Sequence, residues 1–162
     1  MFKQLSLKLA VLASFSFFSS AISAQSTVYF FTKTITSAET MITKNGKDLF
    51  ELRGPEKSRV EPIAMSGMKM ASISYSPAYK KCIFNDEGKV LFGINYDFTN
   101  VKTLEISHLK GEIQLNLAEG SIHYVQVAPK GLFDIQFKEL SEKEALKLLK
   151  NKKYVELPEY TE

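Results

Sequence analysis

The stretch "LNLAEGSIHYVQVAPKGLFDIQF", residues 115–137, decides the fold class. It alternates apolar and polar residues three times, with small turn signals between. In the first segment, extended upstream as "EIQLNL", Ile113, Leu115 and Leu117 fall on one side and Gln114 and Asn116 on the other. That is the two-residue period of a half-buried strand. Glu119-Gly120 turns the chain, "SIHYVQVA" returns, and Pro129 to Gly131 turns it again. "LFDIQFK" repeats the alternation, with Phe133, Ile135 and Phe137 inward and Asp134 and Gln136 outward.

Working outward, strand signals fill residues 27–138. "TVYFFTKTI" is rich in β-branched and aromatic residues. "TMITKNGKDLFELR" reads as a hairpin, because Asn45-Gly46 supplies two residues that tolerate positive φ. "GPEKSRVEP" reads as a loop bounded by Pro55 and Pro62, and "MKMASISYSP" as a strand ended by Pro77. "KKCIFNDEGKVLFGIN" reads as a second hairpin turning at Asp86-Glu87-Gly88, and "VKTLEISHL" as a strand stopped by Lys110-Gly111. This spacing of short strands is that of an antiparallel sandwich or barrel.

The period changes at "SEKEALKLLKNKK", residues 141–153. Ser141 and Glu144 have capping-box spacing. Ala145, Leu146, Leu148 and Leu149 form an apolar stripe, and Lys150, Lys152 and Lys153 complement the C-terminal end of the helix dipole. The expected domain therefore spans residues 25–153 and carries one C-terminal amphipathic helix. Residues 154–162 follow as a loose tail.

Residues 1–24 have the layout of a secretory signal peptide. Lys3 and Lys8 lead, an apolar run from Leu9 to Phe18 follows, and small residues close the segment. Cleavage is expected after Ala24, with Ser23 and Ala21 as alternatives. No cysteine lies near this point, so the expected product is exported to the periplasm or beyond and is not a lipoprotein. The apolar run is too short to span a membrane. Removing residues 1–24 removes two lysines and no acid, so the formal charge falls from +3 to +1. A basic footprint for nucleic acid disappears with them. The remaining chain, about 138 residues, can bury one core. Cys82 is the only cysteine, which excludes an intramolecular disulfide; beside Ile83 and Phe84 it reads as a half-buried, inert thiol that behaves as a small hydrophobe. The alternative is a thiol made reactive by Lys80 and Lys81 before it.

Catalytic motifs are missing. There is no G-x-S-x-G, no H-E-x-x-H and no phosphate loop. His123 shares a strand face with Val125 and Val127, which predicts packing, and His108 ends a strand. A hydrolase-type enzyme centred on His108 and His123 is the third-ranked reading. Met65, Met68 and Met70, in "MSGMKM", are soft thioether donors of the kind that suits Cu(I). A periplasmic copper-handling protein is accordingly the second reading, with His108, His123 and Cys82 as further candidate ligands. The plainer account is that methionine fills an irregular core.

The order of elements resembles a bacterial family of small exported β-sandwich domains of unknown function. The resemblance rests on "VYFF", on "NGKDLFEL", on Leu115, Leu117, Gly120, Tyr124 and Val125, and on the amphipathic helix of "FDIQFKELSEKEALKLL". His123 stands where that family often has a tyrosine. The likeness covers residues 27–53 and 111–150; residues 54–95 read as an insertion, and the family's P-G-x-H segment is not evident. It implies a transthyretin-like, carboxypeptidase-regulatory-like or immunoglobulin-like sandwich and brings no established activity or site residues.

The leading expectation is a non-enzymatic binding module of the bacterial envelope. It would have no catalytic residues and no cofactor, and its partner would be an envelope protein or a surface glycan. Tyr75 and Tyr79, around Pro77 in the 54–80 region, are the candidate contact residues, since aromatics are favoured at interface centres.

Overall fold

The computed structural model describes residues 25–33, 40–62, 69–99, 106–129 and 135–162. Expectations that concern residues 1–24, Met65, Met68 and Phe133 lie outside these. Among the described residues the chain is mostly β, built as packed sheets whose pairings are mainly antiparallel, with one C-terminal helix. Its elements are β1 (Ser26–Thr32), β2 (Thr40–Lys44), β3 (Lys47–Glu51), β4 (Glu56–Pro62), β5 (Lys69–Tyr75), β6 (Ala78–Phe84), β7 (Gly88–Thr99), β8 (Ile106–Leu117), β9 (Ile122–Pro129), β10 (Ile135–Glu139), α1 (Glu142–Leu149), β11 (Val155–Glu156) and β12 (Tyr160–Thr161).

A six-stranded sheet has the order β10-β9-β1-β6, with β11 and β12 both on the outer edge of β6. A four-stranded sheet has the order β3-β2-β7-β8. Their facing sides enclose the main core. The first sheet contributes Val28, Phe30, Cys82, Phe84, Val125 and Val127; the second contributes Ile42, Val90, Phe92, Ile94, Leu115 and Leu117. Phe92 links the two, its ring 5.4 Å from that of Phe30 and 5.1 Å from that of Phe84. A smaller core lies on the other side of the first sheet. There Phe31, Leu140 and Ala145 are buried, with Tyr29, Tyr79, Tyr124, Leu148, Leu149 and Tyr154 against them. β1 is thus covered on both faces, by the second sheet and by α1, which is why "VYFF" is apolar without alternation.

Asn45-Gly46 makes the expected hairpin, with φ of 50° and 80°. The other turns differ from expectation. β6 and β7 are not a hairpin: β6 pairs with β1 in one sheet and β7 with β2 and β8 in the other. Asn85-Asp86-Glu87 is an arch across the core, which lets Phe84 meet Phe92 from the opposite layer. Glu119-Gly120 is a second arch, between β8 and β9, with Gly120 at φ 69°. β9 runs parallel to β1, so the first sheet is mixed rather than purely antiparallel. Lys110-Gly111 does not stop a strand. β8 runs unbroken through it, because Gly111 lets β10 approach: a Cβ there would stand 2.9 Å from the carbonyl oxygen of Ile135. Of residues 54–95, β6 and β7 belong to the two main sheets and only β4 and β5 stand apart.

The helix begins at the expected capping box. The Ser141 hydroxyl accepts from the Glu144 N–H at 3.4 Å, and the Glu144 carboxylate accepts from the Ser141 N–H at 2.9 Å. It ends at Leu149, short of Lys153, because Asn151 folds into a turn that accepts from the Lys153 and Tyr154 N–H groups. That turn brings Tyr154 onto Phe31, 6.2 Å between rings. Ala145, Leu148 and Leu149 face the sheet at i, i+3, i+4 spacing, whereas Leu146 lies off the stripe and is 41 % exposed. Residues 154–162 are not a loose tail: they are strapped to β6.

Two outcomes test this architecture. Gly111→Val should lower unfolding stability by about 1–3 kcal/mol in urea denaturation, through the clash with β10. Gln114→Val on the exposed face of the same strand should stay within about 0.5 kcal/mol of the parent. The second concerns the helix cap. The Ser141 backbone N–H and hydroxyl, then Lys138, lower the Glu144 pKa from 4.5 to about 2. A depressed carboxyl stabilises the fold above its unfolded value and loses that contribution as pH falls through the folded one. Carboxyl-carbon chemical shifts should titrate near 2 in the parent and at a higher pH, still below the ordinary carboxyl value, in Ser141→Ala, which keeps the backbone N–H and Lys138.

Candidate functional site

β4 and β5 form a two-stranded hairpin in register from Glu56↔Tyr75 to Pro62↔Lys69. The segment expected to be a loop is thus a strand, its charged and proline residues being tolerable on an edge. The register sets Glu56 opposite Tyr75 and Lys57 opposite Ser74 at the root of the arm, and Pro62 opposite Lys69 at its outer end. Neither outer edge pairs with another strand among the described residues.

The root of this arm is held tightly. The chain leaves the second sheet through β3 and enters the first through β6, and the arm emerges between them. Leu52 and Ala78 flank it, both 0 % exposed. Gly54 lies under Ser76 so closely that a Cβ would be 2.2 Å from the Ser76 carbonyl oxygen. The Ser76 N–H donates to Pro55 at 2.9 Å. Arg53 pairs with Glu51 at 2.8 Å, lies 4.7 Å over the Tyr75 ring and donates to its hydroxyl at 3.2 Å. Tyr75 is therefore positioned by a stacked guanidinium at the base of the arm.

Tyr79 has a different setting. Its ring packs 5.8 Å from Phe31 in the core beneath α1. Burial, and then a hydrogen bond with Glu156, pushes its hydroxyl pKa up to about 12. Its aromatic surface is used within the domain.

The histidines are not brought onto one sheet. His108 is on β8, opposite Asp97 in the register, and His123 is on β9 beside β1. His123 is half-buried next to Val125, and its Nδ1 lies 2.9 Å from Glu139 Oε1 on β10. It packs and makes a local hydrogen bond, as the strand face implied. Met70 lies on β5 opposite Glu61. Among the described residues no group of three His, Cys, Asp or Glu side chains could hold a metal ion. Cys82 is fully buried, and burial pushes its thiol up to about 12. The neighbouring lysines do not make it a thiolate, so it is inert in the folded protein.

What the sequence did not reveal is an ionic cluster that joins β2, the β6–β7 arch and the C-terminal residues. Lys44 reaches both Asp86, at 2.7 Å, and Glu162. Burial opposes the charge on Lys44, but the two carboxylates outweigh it and hold its pKa above the usual value. The Lys44 hydrogen bond draws the Asp86 pKa down. The three residues are far apart in sequence, on β2, the β6–β7 arch and the C-terminal strap. No spacing could have signalled them. No helix among the described residues is long and apolar enough to cross a membrane.

No family model, curated protein or solved structure matches this chain.

The Cys82 setting gives a direct check. Ellman's reagent at mildly alkaline pH should leave the native thiol unmodified and titrate one thiol in guanidinium. Rapid reaction of the native protein would contradict the burial.

Proposed function

We propose that this chain is a non-enzymatic binding module, exported to the bacterial envelope, that engages an envelope protein through the arm formed by β4 and β5. The observation that carries the reading is the pair of strand edges that no other strand pairs among the described residues, on an arm whose root is packed and hydrogen-bonded. A two-stranded hairpin is marginally stable by itself. Open edges on a folded protein are normally blunted or covered, because they template pairing with other chains. A partner that adds a strand to either edge would complete main-chain hydrogen bonds, with side-chain complementarity supplying selectivity. Tyr75 is the contact residue at the root, presented by Arg53. The mixed charges of Glu56, Lys57, Arg59, Glu61 and Lys69 favour a polar, extended peptide over a polyanion. Export is supported by the composition of residues 1–24. Membership of the exported sandwich family is supported by the hairpin and helix motifs.

The test is site-specific photo-crosslinking in cells that produce the protein. A photo-reactive residue at Ser74 should trap discrete protein adducts, and one at the exposed Lys89 on β7 should not. Replacing residues 57–74 by a short Asn-Gly turn should leave thermal unfolding of the core within about 0.5 kcal/mol of the parent while removing adducts trapped from position 75. Periodate-sensitive adducts would redirect the reading to a glycan. A Ser74 position that traps nothing would overturn it.

A further inference from the structure

The last eight residues carry three acids, Glu156, Glu159 and Glu162, at intervals of three, and no base. They lie along the outer edge of β6 as β11 and β12, both parallel to it. The main-chain ladder is short but regular. Val155, Leu157 and Glu162 donate to the carbonyl oxygens of Pro77, Tyr79 and Ile83 at 2.9, 2.9 and 3.1 Å.

Each remaining feature is paired to the surface beneath. Glu156 meets the Tyr79 hydroxyl, Glu159 meets Lys81 at 2.7 Å, and Glu162 meets Lys44. Asn85 also donates to a main-chain oxygen of Glu162 at 3.1 Å. Tyr160 sits between Phe50 and Phe84, 5.3 and 5.9 Å from their rings, and Leu157 packs on the same core. Backbone pairing, one aromatic anchor and a periodic set of complementary charges are the components of strand addition by a separate peptide. Here the peptide is covalently attached.

We infer that the outer edge of β6 is an acceptor site for an extended acidic segment of a partner protein, and that Val155–Glu162 is the chain's own occupant, which keeps the site closed. The occupant is built to be replaced. Its two bridges are two residues each, interrupted at Leu157-Pro158-Glu159, and the carboxylates of Glu156, Glu159 and Glu162 belong to exposed residues. The receptor elements, β6 with Lys44 and Phe50, belong to the two main sheets and do not depend on the strap for their pairing. The partner is specified by the surface: an acid facing Lys81, an acid facing Lys44, and an aromatic ring between Phe50 and Phe84. The site is separate from the β4–β5 arm, so either can fail without the other.

The test uses the full chain with a specific protease site inserted between Asn151 and Lys152. After cleavage the strap should remain bound and exchange with a fluorescein-labelled synthetic peptide of residues 154–162, read by anisotropy. The uncut chain should bind that peptide more weakly by about tenfold or more, because the tethered strap competes at high effective concentration. Replacing Tyr160 by Ala in the peptide should weaken binding by about tenfold or more, since it removes the anchor. Lys81→Glu in the cut protein should weaken it by about three- to tenfold. Exchange seen only where circular dichroism shows the cut protein unfolding would overturn the inference, since the strap would then be an integral strand. Equal binding to cut and uncut chains would overturn it by placing the peptide elsewhere. A mass of two chains in light scattering, with straps crossed between copies, would overturn it in favour of self-exchange.

Discussion

Four aromatic rings from the two main sheets, Phe50, Phe30, Phe92 and Phe84, pack on one another, and the rest of the structure depends on them. Tyr160 of the strap adds a fifth ring and closes the circuit. Phe30 touches Phe92, Phe92 touches Phe84, Phe84 touches Tyr160, Tyr160 touches Phe50, and Phe50 returns to Phe30. Each comes from a different strand: β1, β7, β6, β12 and β3. Centroid separations run from 5.1 to 5.9 Å with tilted or edge-on planes. Such pairs contribute about 0.5–1.5 kcal/mol each beyond their buried area. The circuit ties both sheets and the strap at one level, and its outer rims are flanked by cations. Lys44 lies 5.6 Å from the Phe84 ring and Lys80 lies 5.1 Å from that of Phe50. A one-residue slip in any of the five strands would turn its ring away from the core, so the circuit also fixes register.

The edges of the fold follow from the same arrangement. Closing the sheets around the rings leaves β6 and β10 at the margins of one layer, and β3 and β8 at those of the other. The margin at β8 and β10 is closed by approach, with Gly111 giving up a side chain so the two strands can meet. The margin at β6 is covered by the strap, whose Tyr160 is the fifth ring. The arm is the exception: it leaves the core between β3 and β6, and among the described residues no strand pairs with either of its outer edges.

Local chemistry was legible in the sequence wherever a few adjacent residues decide the outcome. Asn45-Gly46 requires positive φ, Ser141 and Glu144 satisfy each other, and Ile113, Leu115 and Leu117 share a face whichever strand lies alongside. Alternation does not encode the layer to which a strand belongs. The sequence around Asp86 and Gly120 therefore reads equally well as hairpins or arches; at Asp86 the arch goes with packing of Phe84 against Phe92 from opposite sheets. Lys110-Gly111 looks like a stop because glycine weakens strands, yet there its missing side chain is what the neighbouring strand needs. "VELPEYTE" looks loose because its charges have no local partners; they lie on Lys44 and Lys81, 118 and 78 residues away. The candidate contact residues divide for the same reason. Tyr75 and Tyr79 are four apart, but Pro77 separates the arm from β6, and Tyr79 enters the second core. His123 was read correctly because its neighbours on the strand face, Val125 and Val127, are themselves the evidence for packing.

The most direct test of the aromatic circuit is a double-mutant cycle on the ring pair that joins the sheets. Phe30→Leu, Phe92→Leu and the double variant would be compared by chemical denaturation. The circuit predicts a coupling of about 0.5–1.5 kcal/mol between the two sites. Additivity to within about 0.3 kcal/mol would contradict it, leaving the two sheets held by undirected burial alone.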